Sequence, residues 1–511
     1  MSSNGMNVAE YLLGGKDRVR IALRLPSAAY SYGELTSSAG RIAAYLGKLG
    51  IAPGERVLLV AENSLFWVAS YLGSLQAGCV AVPISPSSSP AELAYILETT
   101  EASVICMQAS VVKAYAPRLA GGHVMTDRAV PPIPSAASQQ EFETLDANVH
   151  PEHSYRSVEA HDLAALVFTS GSTGRPRGVM VSHGNIIANT ESIVTYLSLT
   201  NADRIMAVLP FHYCYGASLL HTHLRTGGEV VVENRFMYPE IVLQRLIDTR
   251  CTGFAGVPSH FQILLRNSTI RKKQFPDLRY VQQAGGHLAP TFVKELTFAL
   301  PNTSLFIMYG QTEATARLSF VPPERLEEKL GSIGRGMPGV TLRVLNEVGQ
   351  DVKPGELGEV VAAGGNVTLG YWKAPEETAA MFRNGALYTG DLATVDDEGY
   401  IYIVDRAKDF VKCRGEKVSC RQLEETILEC EELLEAAVIG VPDPILGEAI
   451  RAFIVPRVKD VTGLEERVAA FCKRRLPAHY LPKTLVVIPG LPKNSSGKIM
   501  KQALKTIETK P

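Results

Sequence analysis

The sequence predicts an α/β protein in two parts: a large N-terminal layered α/β domain that carries a β subdomain, then a small C-terminal α+β domain. Three observations carry that expectation. Buried-strand and amphipathic-helix patterns alternate from Ser31 to Met308, and after about residue 331 the chain turns Gly-rich and strand-dominated. A charged connector, Asp405-Arg-Ala-Lys-Asp409, then precedes roughly a hundred residues of short strands mixed with helices, enough for a separate domain. At 511 residues with 46% apolar content, the chain exceeds what one compact core needs.

The elements follow in order. Ser31-Tyr-Gly-Glu34 is a capping box, and Leu35, Ala39, Ile42, Leu46 and Leu49 recur at helical spacing before Gly50 ends the helix. Strands are expected at 56–60, 79–83 and 102–107, with helices at 65–75 and 90–97 between them. The tract from Pro131 to Ser138 reads as a surface connector that returns the chain to the core at Leu163. Leu163 to Thr169 and Gly178 to Val181 read as two strands, and Ser182 caps the next helix. A second alternating block places strands at 204–209, 229–232, 253–257, 278–282 and 304–308, with helices around 218–225, 239–249 and 290–300. Asp397-Glu-Gly399 is a hairpin-type turn, and Ser419-Cys-Arg-Gln422 is a capping box in the last hundred or so residues.

Composition narrows the partners. The 51 basic and 52 acidic residues nearly cancel, which disfavours a nucleic-acid or polybasic membrane surface and points to a small ligand. Cysteines are scattered without a C-x-x-C pair and read as free thiols of a reducing compartment. Neither a secretory leader nor a membrane-length apolar run is visible, so a cytoplasmic protein is expected.

The stretch from Leu166 to Met180 is an apolar run that opens into a hydroxyl- and glycine-rich loop. Thr169, Ser170, Ser172 and Thr173 supply hydroxyls, Gly171, Gly174 and Gly178 free the backbone N–H groups, and Arg175 and Arg177 add charge. Such a loop suits phosphate, although alone it also reads as a surface turn. It is not a Walker A loop, because Pro176 stands where the second glycine is needed. His221-Thr-His223 has strand-compatible metal spacing but no further ligand cluster, and is expected to be structural or surface.

Four more motifs follow: Tyr309-Gly-Gln-Thr-Glu313, Tyr388-Thr-Gly-Asp391, the stretch from Asp405 to Val418, and Pro492-Lys-Asn-Ser-Ser-Gly-Lys498. In this order they resemble the adenylate-forming superfamily of acyl-CoA synthetases, aryl-acid ligases, peptide-synthetase adenylation domains and beetle luciferases, over nearly the whole chain. The resemblance implies a 1–405 N-terminal AMP-binding domain holding the ATP and acid sites, and a mobile 406–511 C-terminal domain. It implies two half-reactions: a carboxylate attacks the α-phosphate of ATP to give an acyl-adenylate and pyrophosphate, and a thiol of CoA or of a carrier-protein pantetheine then displaces AMP.

The same resemblance distributes the roles. The loop from Thr169 to Gly178, including Ser170, Gly171, Ser172, Thr173 and Gly174, would hold the β- and γ-phosphates. Glu313 would hold Mg²⁺ and Thr312 the α-phosphate. Tyr309 with Gly310, against Ala284, Gly285 and Gly286, would flank adenine, while Asp391 and Arg406 would hold the ribose. Lys498 would be the adenylation lysine, Lys408 the hinge, and Gly415 part of the thiol tunnel. His212, Tyr213, Cys214, Gly256 and Ala284 would shape an apolar acid pocket, Tyr213 as its aromatic gate. The segment 210–216 lacks the carboxylate that grips an α-ammonium group in amino-acid-activating members, so an α-amino acid is disfavoured. Arg177 replaces the usual lysine of the first loop, which puts its phosphate contact in doubt. His287 is less usual at its position. A stand-alone adenylating enzyme, passing the acyl group to a carrier or partner enzyme, is the alternative; a catalytically silent ATP-binding relative is a third.

Overall fold

The computed structural model describes residues 6–134, 136–146, 155–170, 176–406, 410–413, 416–443, 447–457, 461–477, 480–493 and 499–507. Two large sheets dominate. One, of seven strands, runs in the order Ser138–Glu141, His123–Thr126, Val104–Met107, Arg56–Val60, Val80–Ile84, Leu163–Ser170 and Pro176–Ser182, with every pair parallel except the last. The tract after Pro131 is therefore more than a connector, since its end forms the edge strand Ser138–Glu141. Its polar residues sit comfortably at a sheet edge, where alternation is weak and periodicity gives no signal.

The second sheet, of nine strands, has a parallel centre: Glu229–Val232, Arg204–Ala207, Gly253–Gly256, Tyr280–Gln283 and Ser304–Tyr309. Helices between the sheets bury one shared apolar core. Gly73 allows a close crossing there: a Cβ at this position would stand 2.5 Å from the Ile42 Cβ, so a larger residue would force the helices Tyr32–Lys48 and Leu65–Gln76 apart. Ser31 and Glu34 form the reciprocal capping box, Ser182 forms one with Asn185, and Pro239, Pro258 and Pro290 stand in the first turn of their helices. The helix expected from Ser218 begins earlier, at Cys214, and Pro258–Asn267 is a helix that periodicity did not single out.

A five-stranded antiparallel sheet built on Val340–Leu345, Gly358–Gly364, Ala386–Val395 and Ile401–Arg406 forms the β subdomain. The turn at Asp397-Glu-Gly399 joins its last two strands, with Gly399 at φ +78°. Beyond it, a sheet centred on Leu433–Asp443 and Gly447–Pro456 packs with the helices Cys420–Leu428 and Leu464–Arg475 over a separate core that includes Val411, Leu423, Ile427, Val438, Ile450 and Val468. Ser419 caps Cys420–Leu428 by accepting from the Gln422 N–H, and its hydroxyl also contacts Asp405 Oδ2 at 3.0 Å.

Candidate active site

The strands Gly253–Gly256, Tyr280–Gln283 and Ser304–Tyr309 run parallel, with Gly256 opposite Gln283 and Gln283 opposite Ile307. That register brings their carboxyl ends level, so Val257, Ala284 to Gly286 and Gly310 to Glu313 leave the sheet side by side. Crevices at the carboxyl ends of parallel strands are where α/β sheets bind ligands. Here a cavity of about 710 Å³ opens, lined by those residues together with Thr169, Tyr213, Cys214, Asp391 and, from beyond residue 406, Arg421, Glu424 and Lys501.

One end of the cavity is polar. Tyr309 donates to Asp391 Oδ2 at 2.6 Å, so the expected adenine and ribose residues, 82 positions apart, form one hydrogen-bonded corner. Asp391 also stands opposite Arg406 in the antiparallel register; the Arg406 side chain lies outside the described residues. Gly285, at φ +83°, brings its backbone within reach of Val257, whose Cγ1 would be 2.9 Å from an added Cβ. Gly310 is tighter: a Cβ would fall 2.0 Å from the Ala316 carbonyl oxygen, so only glycine lets the chain turn from Tyr309 into Thr312.

Glu313 is buried and accepts from the Tyr371 hydroxyl at 2.7 Å. Burial, then the Glu313 charge, pushes the Tyr371 phenol up and keeps it protonated as that donor. Among the described residues no cluster of three His, Cys, Asp or Glu could hold a metal ion, so a cation here would rest on Glu313 completed by phosphate oxygens. Two buried groups with no partner, Thr169 Oγ1 and Gln311 Nε2, belong to lining residues and fit a phosphate-bearing ligand. Arg177 also lines the cavity, with its Nη1 3.0 Å from Glu377 and its guanidinium 4.6 Å from the centre of the Tyr371 ring.

The other end is less polar. Tyr213 precedes the helix Cys214–Thr226 and lines the cavity with Cys214, Leu209, Pro210 and Val257. Cys214 Sγ lies 3.4 Å from Thr312 Oγ1, and burial pushes its thiol up, so it stays neutral. His212 is turned away, into a small space behind the wall shared with Tyr71 and His221, and burial lowers it to about 3. Gly256 is likewise beneath the surface: an added Cβ would lie 3.1 Å from the Phe261 ring, and it is Val257 that reaches the cavity.

His221 and His223 lie on the helix Cys214–Thr226, within the span expected to be helical, and are buried rather than at the surface. Each ring meets a tyrosine hydroxyl at 2.9 Å, His221 with Tyr71 and His223 with Tyr280. Gly171, Ser172, Thr173, Gly174, Lys408, Gly415 and Lys498 lie outside the described residues, as does the Ser170 side chain. Sequence reasoning missed Tyr371, which belongs to no motif, and Arg317, which is 1% exposed and bonds to Ser218 Oγ, Gln282 Oε1 and Met308 Sδ beneath the cavity wall.

Comparison with known proteins agrees with this arrangement. Residues 15–372 match the family described as AMP-binding enzyme, and residues 422–498 match the AMP-binding enzyme C-terminal domain. The chain is 32% identical to a feruloyl-CoA synthase of Amycolatopsis sp, covering 94% of each, and 31% identical to a long-chain-fatty-acid–CoA ligase of Bacillus subtilis (strain 168), covering 94% of this chain and 90% of that one. Among solved structures it resembles ATP-bound MatB from Rhodopseudomonas palustris, at TM-score 0.87 and 29% identity over 98% of each chain. A benzoate CoA ligase from Burkholderia xenovorans LB400 gives TM-score 0.87 at 25% identity, covering 98% of this chain and all of that one. The chain belongs to the AMP-binding enzymes, the adenylate-forming superfamily that includes the AMP-forming acid:CoA ligases.

Proposed function

We infer that this protein is an AMP-forming carboxylic acid:CoA ligase acting on a hydrophobic acyl or aryl acid. The observation that carries the reading is the single cavity in which the Tyr309–Asp391 corner, buried Glu313 and the Tyr213, Cys214 and Val257 wall meet at the carboxyl ends of parallel strands. Tyr309, Gly285 and Gly286 would flank adenine, Asp391 and Arg406 would hold the ribose, and the loop 169–178 would hold the departing pyrophosphate. Mg²⁺, when bound, would neutralise phosphate charge from Glu313. Thr312 would donate to the α-phosphate, and Lys498 would stabilise the negative charge that builds as the acid attacks it. The 1–405 part would hold ATP and acid, and the 406–511 part would deliver Lys498 for the first step and the Lys408 and Gly415 region for the second.

The acid end has no carboxylate within 209–216 and a neutral Cys214 thiol, which favours an acid without an α-ammonium group. A panel of alkanoic, aromatic and short dicarboxylic acids read by pyrophosphate release tests this, with hydrophobic acids expected to lead. Product analysis with CoA, with a pantetheinylated carrier protein and with neither then identifies the acceptor, and CoA thioester is expected. Lys498→Ala should lower adenylate formation by about 100-fold or more. It should leave most thioester formation from preformed acyl-adenylate intact, and equal loss of both steps would contradict the assignment.

A further inference from the structure

His287 follows the Gly285-Gly286 pair, on the loop between Tyr280–Gln283 and Pro290–Ala299, and lines the cavity. Its imidazole reaches the helix Cys420–Leu428 of the C-terminal core. Nε2 lies 2.5 Å from Glu425 Oε1, Arg421 donates to Nδ1 at 2.5 Å, and Arg421 Nε is 3.0 Å from the same Glu425 oxygen. A donor aimed at Nδ1 fixes the tautomer: the proton sits on Nε2 and is donated to the carboxylate. Burial and the Arg421 charge keep His287 below its ordinary range. Burial opposes ionisation of Glu425, but the contacts with His287 and Arg421 outweigh it and hold that carboxyl at about 2. The three side chains thus close a ring in which one imidazole both accepts and donates.

The ring sits where it can govern the C-terminal domain. Arg421 lines the same cavity, as do Glu424 and Lys501, which are paired at 2.7 Å. Lys493 bridges Ile499 through the backbone, and the Lys493 charge bears on buried His260 of the large domain. Holding helix Cys420–Leu428 to the large domain therefore holds the Lys501 segment at the cavity as well. The His287 and Glu425 side chains remain 25% and 32% exposed, so solvent partly screens the contact.

We propose that His287 is a positioning residue that fastens the C-terminal domain over the cavity in the arrangement used for adenylation, and so sets the balance between the two half-reactions. This rests on the acid:CoA ligase reading. The test measures acid-dependent pyrophosphate release, and separately thioester formation from synthetic acyl-adenylate and CoA, in the full-length wild type and in His287→Ala, His287→Gln, Glu425→Ala and the His287→Ala/Glu425→Ala double variant, all compared for melting temperature. His287→Ala should lower the kcat of pyrophosphate release by about tenfold with little change in the KM for ATP, and leave the thioester step unchanged or faster. Glutamine, which can also accept from Arg421 and donate to Glu425, should restore most of the loss, and the double variant should be no worse than either single. Equal loss in both half-reactions, additive effects in the double variant, or glutamine failing like alanine at unchanged melting temperature would each overturn the proposal. A wild type that releases no pyrophosphate with any acid would overturn the ligase reading, and this one with it.

Discussion

Glu313 shows how a motif residue depends on a neighbour that no motif names. Its carboxylate is buried, and the Tyr371 hydroxyl, 58 positions away, both satisfies it and aims it. Tyr371→Phe should leave the fold intact, lower stability by about 1 kcal/mol, and raise the Mg²⁺ concentration for half-maximal pyrophosphate release several-fold. An unchanged Mg²⁺ titration would remove Tyr371 from that role. Gly310 is the opposite case, a residue whose importance lies in having no side chain. Gly310→Ala places a Cβ against the Ala316 carbonyl and the Arg317 backbone, so we expect a loss of about 3 kcal/mol and collapse of ATP-dependent activity, read by thermal unfolding and pyrophosphate release. The glycine was legible in the sequence as part of a motif. The reason for it was not, because the obstructing carbonyl comes from a turn whose shape the spacing does not specify.

The helix Cys214–Thr226 joins site to core. Its first residue meets Thr312 in the cavity, and its middle turns bury His221 and His223. Burial holds His221 at about 3 and His223 at about 4, and it also holds His183 at about 4, with His212 and His260 at about 3. Between these values and the ordinary histidine range near 6.5 the unfolded chain binds more protons than the folded one. Their contribution is therefore complete above about pH 6.5 and is lost as pH falls, by up to about 1.4 kcal/mol per pH unit for each histidine. The melting temperature should drop steeply between about pH 6.5 and pH 5, and His221→Gln should make that slope shallower. A flat profile would mean that these rings are not held neutral. From sequence the helix around 218–225 is expected and the His-x-His pair reads as structural or surface; the folded core decides for structural, since Tyr71 and Tyr280 supply partners that only tertiary packing brings near.

At the scale of the whole molecule, the fully buried cores of the described residues beyond 406 are separate from those of the large domain, with partly buried Leu428 packed against both. We propose the boundary near 405/406. Because the strand Ile401–Arg406 pairs with Ala386–Val395, a chain ending after Arg406 keeps that ladder whole. Such a chain should bind ATP in a calorimetric titration with affinity within about tenfold of the full chain, since Tyr309, Asp391 and Gly285 remain, yet release no pyrophosphate. A truncated chain that still forms acyl-adenylate would contradict the part assigned to the C-terminal domain. Among the described residues no helix is long and apolar enough to cross a membrane.

The sequence alone determined most of the elements and their order, because apolar periodicity, caps and helix-starting prolines act over a few residues and leave local signatures. It also marked the glycine and hydroxyl loop and the Tyr309 to Glu313 segment, whose chemistry is written in adjacent residues. Only the tertiary structure decided which residues meet: Tyr309 with Asp391, Tyr371 with Glu313, His287 with Arg421 and Glu425, and His212 turned away from the cavity. Those outcomes depend on sheet register and on how separate cores are docked. Such contacts join residues tens to hundreds of positions apart, and no local pattern along the chain encodes them.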